Sequence, residues 1–350
     1  MRKLARFWQT LESVPGPAAV AAEWCRLLGT EYDSVRGFLR PVARLADSYP
    51  CPDPKNVGTV HKVIVHGPDH IVGVCPDNCA PARLSRADIV VWELDHAAWG
   101  RSVADAFSLP YEGTGVDSLP KTTQIGTYAP YAGFRFPVYL TIRMEPDEFR
   151  QVVDGLLARN NAPFILLAPT RALCKPACEE LLTRKKACFV PLCEVLVLDE
   201  HGRFVLGESY TLDGILADFR ASVLPKPEDE SGMAFFPTPP EAAWEHVAIR
   251  FRDNHSVSVV VGSASGIYHY SQMGMADGRD AKPTKQWELL RDFAEEHGIL
   301  DWGSRKANRK KQKHRESLAE DLRRFFRIEG DPIASEGNGW RTLFAVVLST

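Results

Sequence analysis

The clearest alternation of hydrophobic and polar positions lies near the C-terminal end of the chain and predicts an amphipathic helix. Trp287, Leu290 and Ala294 recur at the spacing of one helix face. Thr284 offers a hydroxyl that can cap the first turn, and Gly298 favours an end to the helix. The pattern therefore predicts one helix between these two positions.

A second helix is predicted further along, and its two ends differ in character. Leu318, Leu322 and Phe325 place an apolar face at helical spacing in its later turns. Its leading end is basic, because residues 305–315 contain seven Lys or Arg and no Asp or Glu. Pro332 does not permit the helix to continue. The sequence thus predicts one helix with a basic start and an apolar face.

A glycine-tipped hairpin is predicted after this helix. Its first strand begins at 332–333, its turn is Gly-Asn-Gly at 337–339, and its second strand covers 340–346. Helix, basic segment, helix and hairpin in this order form the outline of a winged helix-turn-helix, in which the second helix enters the DNA major groove. We therefore expect a winged helix over residues 242–350.

Two short sequences in this region carry a family resemblance. They are Phe-Arg-Ile at 326–328 and Gly-Trp-Arg-Thr at 339–342, the second directly before an apolar strand. This part of the chain resembles the C-terminal effector domains of bacterial response regulators, whose small N-terminal sheet the strands at 247–261 would match. The resemblance implies binding to duplex DNA. No acidic, phosphate-accepting receiver domain is visible in the sequence, so control by phosphorelay is not implied.

We expect the basic segment and the hairpin to contact DNA. The predicted contact residues are Arg305, Lys306, Arg309, Lys310, Lys313 and Arg315, with Arg341 on the hairpin. The formal net charge of the chain is only −3, so the basic patch is local rather than a property of the whole protein. A Lys/Arg run is also typical of a solvated face, and winged helices also dock proteins.

A second hairpin is predicted near residue 60, where strands at 60–66 and 71–74 alternate around a turn. Thiolate and neutral imidazole are ligands that tetrahedral Zn²⁺ prefers, and cysteines flank this hairpin. The sequence predicts a zinc-ribbon-like site with a structural Zn²⁺ held by Cys51, His61, Cys75 and Cys79, with His66 or His70 as alternatives to His61. A hairpin without metal is the other interpretation.

The rest of the chain predicts a multi-domain α/β protein. Residues 1–48 show helical patterns, the third of them over 39–46. Strand and helix patterns then alternate and predict a central, partly parallel mixed sheet. Proline and acidic residues predict a linker. The predicted divisions are helices with the zinc-ribbon-like hairpin at 1–86, an α/β domain at 87–220, the linker at 221–241 and the winged helix at 242–350.

The sequence offers little support for an enzyme. It has no phosphate-cradling glycine motif, and the segment Gly-Ser-Ala-Ser-Gly at 262–266 has Ala264 where a nucleophile elbow needs a serine. Asp88, Glu93 and Asp95 cluster around one strand and could bind a metal, as in a nuclease. Asp88 and Asp95 also suit strand-end and helix-cap roles. The loop at 169–171 follows a buried strand, where α/β sheets tend to bind ligands, although a plain turn is the simpler interpretation.

Cysteine usage and hydropathy suggest the compartment. The chain contains eight cysteines, and Cys174, Cys178, Cys188 and Cys193 are best interpreted as core residues. No secretory signal and no apolar run long enough for a membrane span is visible, so we expect a cytoplasmic protein with no membrane association and with cysteines reduced or bound to metal.

The predicted function is that of a non-enzymatic, regulator-like DNA-binding protein. Its N-terminal part would sense a ligand or dock a protein partner. The alternative is an adaptor subunit of a multi-protein complex, such as phage-defence or mobile-element machinery, that uses its winged helix for protein contacts.

Overall fold

The chain forms two compact units of mixed helix and sheet. The computed structural model describes residues 2–53, 56, 58–67, 70–75, 80–225, 232–278, 280–303 and 311–349. Unit 1 comprises Met1–Tyr128 and Phe136–Ser222, and unit 2 comprises Ala129–Arg135 and Val223–Thr350. Both units contain helices and sheets, which confirms the α/β class. Within these described ranges, no helix combines the length and the apolar character needed to cross a membrane.

Unit 1 contains most of the helices and four separate sheets. Its helices are α1 (Ala5–Ser13), α2 (Ala21–Leu28), α3 (Tyr32–Val35), α4 (His96–Ala106), α5 (Pro146–Arg159), α6 (Pro176–Arg184), α7 (Leu192–Val195), α8 (Leu212–Ile215) and α9 (Ala217–Val223), the last of which reaches the unit boundary. Its strands are β1 (Ala18–Val20), β2 (Leu39–Leu45), β3 (Ser48–Pro50), β4 (Val60–Gly67), β5 (His70–Val74), β6 (Ala82–Leu84), β7 (Val90–Leu94), β8 (Thr114–Gly115), β9 (Thr122–Tyr131), β10 (Phe134–Thr141), β11 (Ile165–Ala168), β12 (Cys188–Pro191), β13 (Leu196–Leu198) and β14 (Phe204–Leu206).

The largest sheet of unit 1 has the order β12-β11-β10-β9-β8. Strands β10, β11 and β12 run parallel, which confirms the prediction of a partly parallel sheet. Every residue of β11 is buried, as expected for a central strand covered on both faces. Side chains of α5 and α6, among them Phe149, Val152 and Leu182, form one core with this sheet. The carboxyl ends of β11 and β12 therefore lie at the same edge of the sheet.

The prediction of a third N-terminal helix over 39–46 is wrong. These residues form β2, which pairs antiparallel with β7 from Leu39 opposite Leu94 to Leu45 opposite Val90. Pro41 explains the outcome, because proline disrupts a helix interior but is tolerated on an edge strand. In the sheet order β1-β7-β2, strand β2 is indeed an edge.

The hairpin predicted near residue 60 is present. Strands β4 and β5 pair antiparallel, from Lys62 opposite Val74 to Gly67 opposite His70. They belong to a four-stranded sheet of order β3-β4-β5-β6, in which neighbouring strands are antiparallel.

Unit 2 contains two helices and two sheets among its described residues. The helices are α10 (Lys285–Glu295) and α11 (Gln312–Phe326). The strands are β15 (Val247–Phe251), β16 (Ser256–Val261), β17 (Ala264–His269), β18 (Ile299–Asp301), β19 (Ile333–Glu336), β20 (Gly339–Thr342) and β21 (Ala345–Leu348). The sheet orders are β17-β16-β15-β21 and β18-β20-β19.

The amphipathic stripes predicted for unit 2 are confirmed. Trp287, Leu290 and Ala294 of α10 are buried, and so are Leu322 and Phe325 of α11. They share one core cluster with the inward residues of the larger sheet. The two helices are therefore held by burial of one apolar face each, and the opposite faces are left for other contacts.

The C-terminal strand predicted over 340–346 is interrupted. Its first part is β20, which pairs with β18 and β19, whereas its second part is β21, which pairs parallel with β15. The hydroxyl of Thr342 donates to the carbonyl oxygen of Phe344 at 2.8 Å, so the chain turns between the two parts. One apolar run therefore joins two sheets.

Candidate functional site

The N-terminal end of α11 presents cationic side chains with different environments. Lys313 is exposed and has no ion-pair partner among the described residues. Lys311, at the N-cap position, places its Nζ atom 2.6 Å from a carboxylate oxygen of Asp292 on α10. The N-terminal end of a helix carries the positive end of the helix dipole. Cationic side chains are therefore unfavourable there, and a bound anion is favourable. Lys313 is thus the described cation of α11 best placed to meet an anionic partner.

Arg315 is not available for DNA, which corrects the sequence-based prediction. Its side chain is only 12% exposed, and Nη2 lies 2.5 Å from a carboxylate oxygen of Asp331. The same nitrogen donates to the carbonyl oxygen of Ile333. A guanidinium in such a position holds the start of β19 against α11. The residue is therefore a structural link within unit 2.

The chain enters the basic segment beside the tip of the hairpin. The backbone N–H of Trp302 donates to the carbonyl oxygen of Asn338 at 2.7 Å, and the rings of Trp302 and Trp340 meet edge to face at 4.9 Å. The predicted contact residues Arg305, Lys306, Arg309 and Lys310 lie outside the described residues. The described ends of the segment are thus fixed by the hairpin tip and by α11. The sequence did not predict that Asn338 accepts this hydrogen bond at the start of the basic segment.

The hairpin β19–β20 carries the predicted wing residue. Arg341 is exposed on β20, and its Nη1 atom lies 3.5 Å from a carboxylate oxygen of Glu336 on the neighbouring strand. Exposed pairs of this kind contribute little to stability, so Arg341 can exchange Glu336 for another anion. Trp340, by contrast, is only 3% exposed and belongs to the core of unit 2.

The rest of the α11 surface is mixed in charge. Glu316 accepts a hydrogen bond from Gln312, and Glu320 pairs with Arg324 one turn later. Arg323, near the end of the helix, is also exposed, so both ends of α11 carry basic residues and acidic residues lie between them. This arrangement differs from a helix that is basic along its whole exposed face.

His61 is the most unusual polar residue of the β3-β4-β5-β6 sheet. Its side chain is fully buried, and Nδ1 lies 3.2 Å from the carbonyl oxygen of Gly73. A carbonyl oxygen only accepts, so Nδ1 carries the hydrogen and Nε2 keeps the lone pair. That Nε2 atom is buried and has no hydrogen-bond partner among the residues that the structure describes. With Nδ1 bonded to a backbone carbonyl, Nε2 is the ring nitrogen left for a metal.

The strand order brings the other predicted ligands toward His61. Because the strands are antiparallel, the carboxyl ends of β3 and β5 lie beside the start of β4. Cys51 directly follows β3, and the buried Cys75 directly follows β5. Cys79 lies outside the described residues, and among those described no group of three His, Cys, Asp or Glu has a metal-holding arrangement. The rings of the alternative ligands His66 and His70 are 4.9 Å apart at the far end of the hairpin.

Two of the four cysteines between positions 174 and 193 belong to the protein core, and Cys188 and Cys193 are half-buried. Cys174 and Cys178 are buried in the core under the largest sheet, as expected. Burial raises the pKa of Cys174 to about 12 and that of Cys188 to about 12. These thiols therefore stay protonated at neutral pH and are poor nucleophiles.

The acidic residues considered for a nuclease have structural roles. Asp95 accepts hydrogen bonds from the backbone N–H groups of Ala97 and Ala98, so it caps α4. Asp88 accepts from both the hydroxyl and the backbone N–H of Ser85. Both carboxylates are committed to local hydrogen bonds.

Comparison of the chain with protein-family models, with curated proteins and with solved structures finds no match in any of the three.

Proposed function

We propose that the protein binds duplex DNA through the basic segment 305–313 and the hairpin β19–β20. Seven cationic side chains and no acidic one lie between positions 305 and 315, and one of the seven, Arg315, is used inside unit 2. Lys311 pairs with Asp292, and the other five concentrate positive charge within residues 305–313 of a chain that is close to neutral. This concentration of charge next to a hairpin tip is the observation that carries the proposal.

The organisation of unit 2 supports a winged-helix mode of binding. Strand β18 precedes the basic segment and pairs with β20, so the hairpin stands next to the start of that segment. Gly339 permits this approach, because a Cβ atom there would collide with the carbonyl oxygen of Leu300. In such an arrangement the start of α11 reaches the groove while Arg341 contacts the backbone. We therefore retain the likeness to response-regulator effector domains as part of this proposal.

The experiment is fluorescence anisotropy of the full chain with a labelled random duplex over a salt series. We expect tight binding at low salt and a steep loss of affinity as salt rises, because bound lysines and arginines release phosphate counterions. Charge reversal in a Lys310→Glu/Lys313→Glu variant should abolish most of the affinity and leave the melting temperature unchanged. Absence of binding by the wild-type chain at low salt would contradict the proposal.

The adaptor alternative would rest on apolar surface next to the hairpin. Trp302 is 38% exposed and Ile299 is 50% exposed, whereas Trp340 is buried. These few exposed side chains favour DNA over a protein partner as the occupant of this surface. Co-purification of a protein that depends on Trp302, without DNA binding, would favour the adaptor.

We further propose that His61 binds a structural Zn²⁺ together with Cys51, Cys75 and Cys79. The unpartnered Nε2 atom of His61 supports this, since a buried imidazole nitrogen without a partner costs free energy that a metal would recover. A reduced, cytoplasmic location would keep the thiols available. A closed site of this type stabilises a small sheet and has no position for chemistry.

Zinc content measured by mass spectrometry of the purified full chain tests this second proposal. One equivalent is expected in the wild-type chain and much less in a Cys75→Ser or His61→Gln variant. Cys25→Ser is the matched control, because Cys25 is exposed on α2. A wild-type chain without zinc after purification and reconstitution would contradict the site.

A further inference from the structure

A cavity in unit 1 lies at the carboxyl ends of the parallel strands β11 and β12. It has a volume of about 570 Å³, within the range of small-molecule sites. One wall is α1, and the other consists of the loop after β11 and the start of α7. The backbone N–H of Cys193 donates to the carbonyl oxygen of Pro169 at 3.0 Å and ties these two segments together. Ligands of α/β sheets commonly bind at this edge.

The cavity combines an apolar wall with one oriented carboxylate. Leu173, Ala5 and Ala172 supply accessible apolar surface, and Glu12 of α1 supplies the carboxylate. Thr170 holds both oxygens of Glu12, since its backbone N–H donates to one at 3.0 Å and its hydroxyl to the other at 2.5 Å. The Glu12 side chain is therefore fixed in direction within the cavity.

Thr170 also determines which form of Glu12 the site favours. The Thr170 hydroxyl oxygen accepts from the backbone N–H of Ala172 at 3.1 Å, which directs its own hydrogen toward Glu12. Both oxygens of Glu12 are thus acceptors, and each keeps a further lone pair. Burial raises the pKa of Glu12 and the two hydrogen bonds from Thr170 lower it. A cation beside the carboxylate would stabilise the ionised form of Glu12 and so offset the effect of burial.

The neighbouring charges leave Glu12 without a counterion. Arg171 is occupied by Glu179 at 2.6 Å and Glu194 at 3.1 Å, so this guanidinium has two carboxylates of its own. Glu12 has no ion-pair partner in the part of the chain that the structure describes, and Lys3 is an exposed residue of the cavity lining. The charged residues of the lining are Lys3, Arg171, Glu12 and Glu194, and Arg171 is the one that pairs with Glu194.

We propose that this cavity binds a small organic ammonium ion with an apolar body, such as an arylalkylamine, with its N–H groups donating to Glu12. The apolar part would lie against Leu173 and Ala5, and the carboxylate would provide a charge-assisted hydrogen bond. Such a ligand would give unit 1 a sensing role. The proposal rests on unit 1 alone, so DNA binding and amine binding can fail independently.

The test uses phenethylamine and, as the matched anion, 3-phenylpropionate, with the full chain at pH 7 and calorimetric detection. Phenethylamine should bind and 3-phenylpropionate should not. Glu12→Gln keeps the shape of the side chain, and we expect it to weaken phenethylamine binding by about tenfold or more because the charge-assisted hydrogen bond is lost. Glu208→Gln is the control, since Glu208 is an exposed carboxylate outside the cavity lining.

A second variant separates loss of the site from loss of the fold. Ala172→Trp places a large ring at the exposed rim of the cavity and should abolish phenethylamine binding without lowering the melting temperature. Phenethylamine affinity that is the same in wild type, Glu12→Gln and Ala172→Trp would overturn the proposal. So would equal affinity for 3-phenylpropionate, or no binding of phenethylamine by a folded wild-type chain.

Discussion

The two ends of helix α11 carry the same kind of side chain for different purposes. At the N-terminal end Lys313 is exposed and has no ion-pair partner among the described residues, so its charge faces solvent. At the C-terminal end Arg327 adopts a left-handed conformation with φ of 56° and turns back into unit 2. Its Nε atom donates to the carbonyl oxygen of Ala132 at 3.2 Å, and Nη2 donates to that of Phe236.

The surroundings of Arg327 complete the contrast. The guanidinium lies 4.4 Å from the ring centroid of Phe235 and 5.6 Å from that of Phe134. Burial lowers the pKa of Arg327 to about 10, yet the group stays charged at neutral pH. A count of lysines and arginines therefore overstates the charge available to DNA, because Arg315 and Arg327 are used within the fold. The predictions below separate these roles.

The largest effect is expected at the C-terminal end of the helix. Arg327→Ala leaves the carbonyl groups of Ala132 and Phe236 without their donor and removes the contacts with two aromatic rings. We expect a loss of about 2–4 kcal/mol in the free energy of unfolding, measured by chemical denaturation. Arg324→Ala, which removes only an exposed pair with Glu320, should change it by less than about 1 kcal/mol. Equal effects of the two variants would contradict a structural role for Arg327.

The next largest effect is expected at the N-terminal end, where replacing Arg315 should lower stability and replacing Lys313 should weaken DNA binding. Arg315→Ala should lower the free energy of unfolding by about 1–3 kcal/mol, because the buried carbonyl of Ile333 loses its charged donor. Lys313→Ala should leave stability unchanged and reduce the slope of log affinity against log salt by about 1. Denaturation and anisotropy on both variants check the pair. A Lys313→Ala variant with lower stability and normal DNA binding would contradict the assignment of Lys313 to DNA contact.

The smallest effect concerns Asp321 in the middle of α11. Burial raises the pKa of Asp321 to about 6, so the ionised form destabilises the folded state above that pH. As pH falls from 7 through 6 toward 4, Asp321 becomes protonated in the folded protein first, and this penalty disappears. Asp321→Asn should therefore raise the melting temperature at pH 7, with a difference that fades toward pH 4.

The matched control for Asp321 is Glu329→Gln, at an exposed carboxylate of the same unit. Its melting temperature should follow that of the wild-type chain over the whole pH range. A constant difference between Asp321→Asn and wild type at all pH values would show that burial of the charge is not the cause.

Local patterns in the sequence predicted individual helices and strands better than they predicted which strands pair with each other. The stripes of α10 and α11, the β4–β5 hairpin and the partly parallel sheet all follow from periodicity within one segment. Strand β2 was mistaken for a helix because its apolar spacing suits a helix as well, and only Pro41 argued against it. The division of one apolar run between β20 and β21 depends on pairing with distant strands.

Side-chain roles depend even more on contacts that are distant in sequence. Arg315 meets Asp331 sixteen positions later, and Glu12 meets Thr170 with a separation of 158 residues. No spacing rule connects such positions, so Arg315 was taken for a DNA contact and the carboxylate of the cavity was not identified. The prediction of His61 as a zinc ligand, in contrast, used only local features, namely cysteines and histidines beside one hairpin, and it stays a prediction.

The central claim is that DNA binds at the beginning of α11 rather than to the helix as a whole. The most direct measurement is fluorescence anisotropy with duplex DNA for two full-length variants, Lys310→Glu/Lys313→Glu and Arg323→Glu/Arg324→Glu. Both change the charge of the chain equally, but only the first lies in the basic segment. We predict that the first variant loses most of its affinity and reduces the salt slope by about 2, while the second stays near the wild-type chain. Equal loss in both variants, or no loss in the first, would contradict the claim.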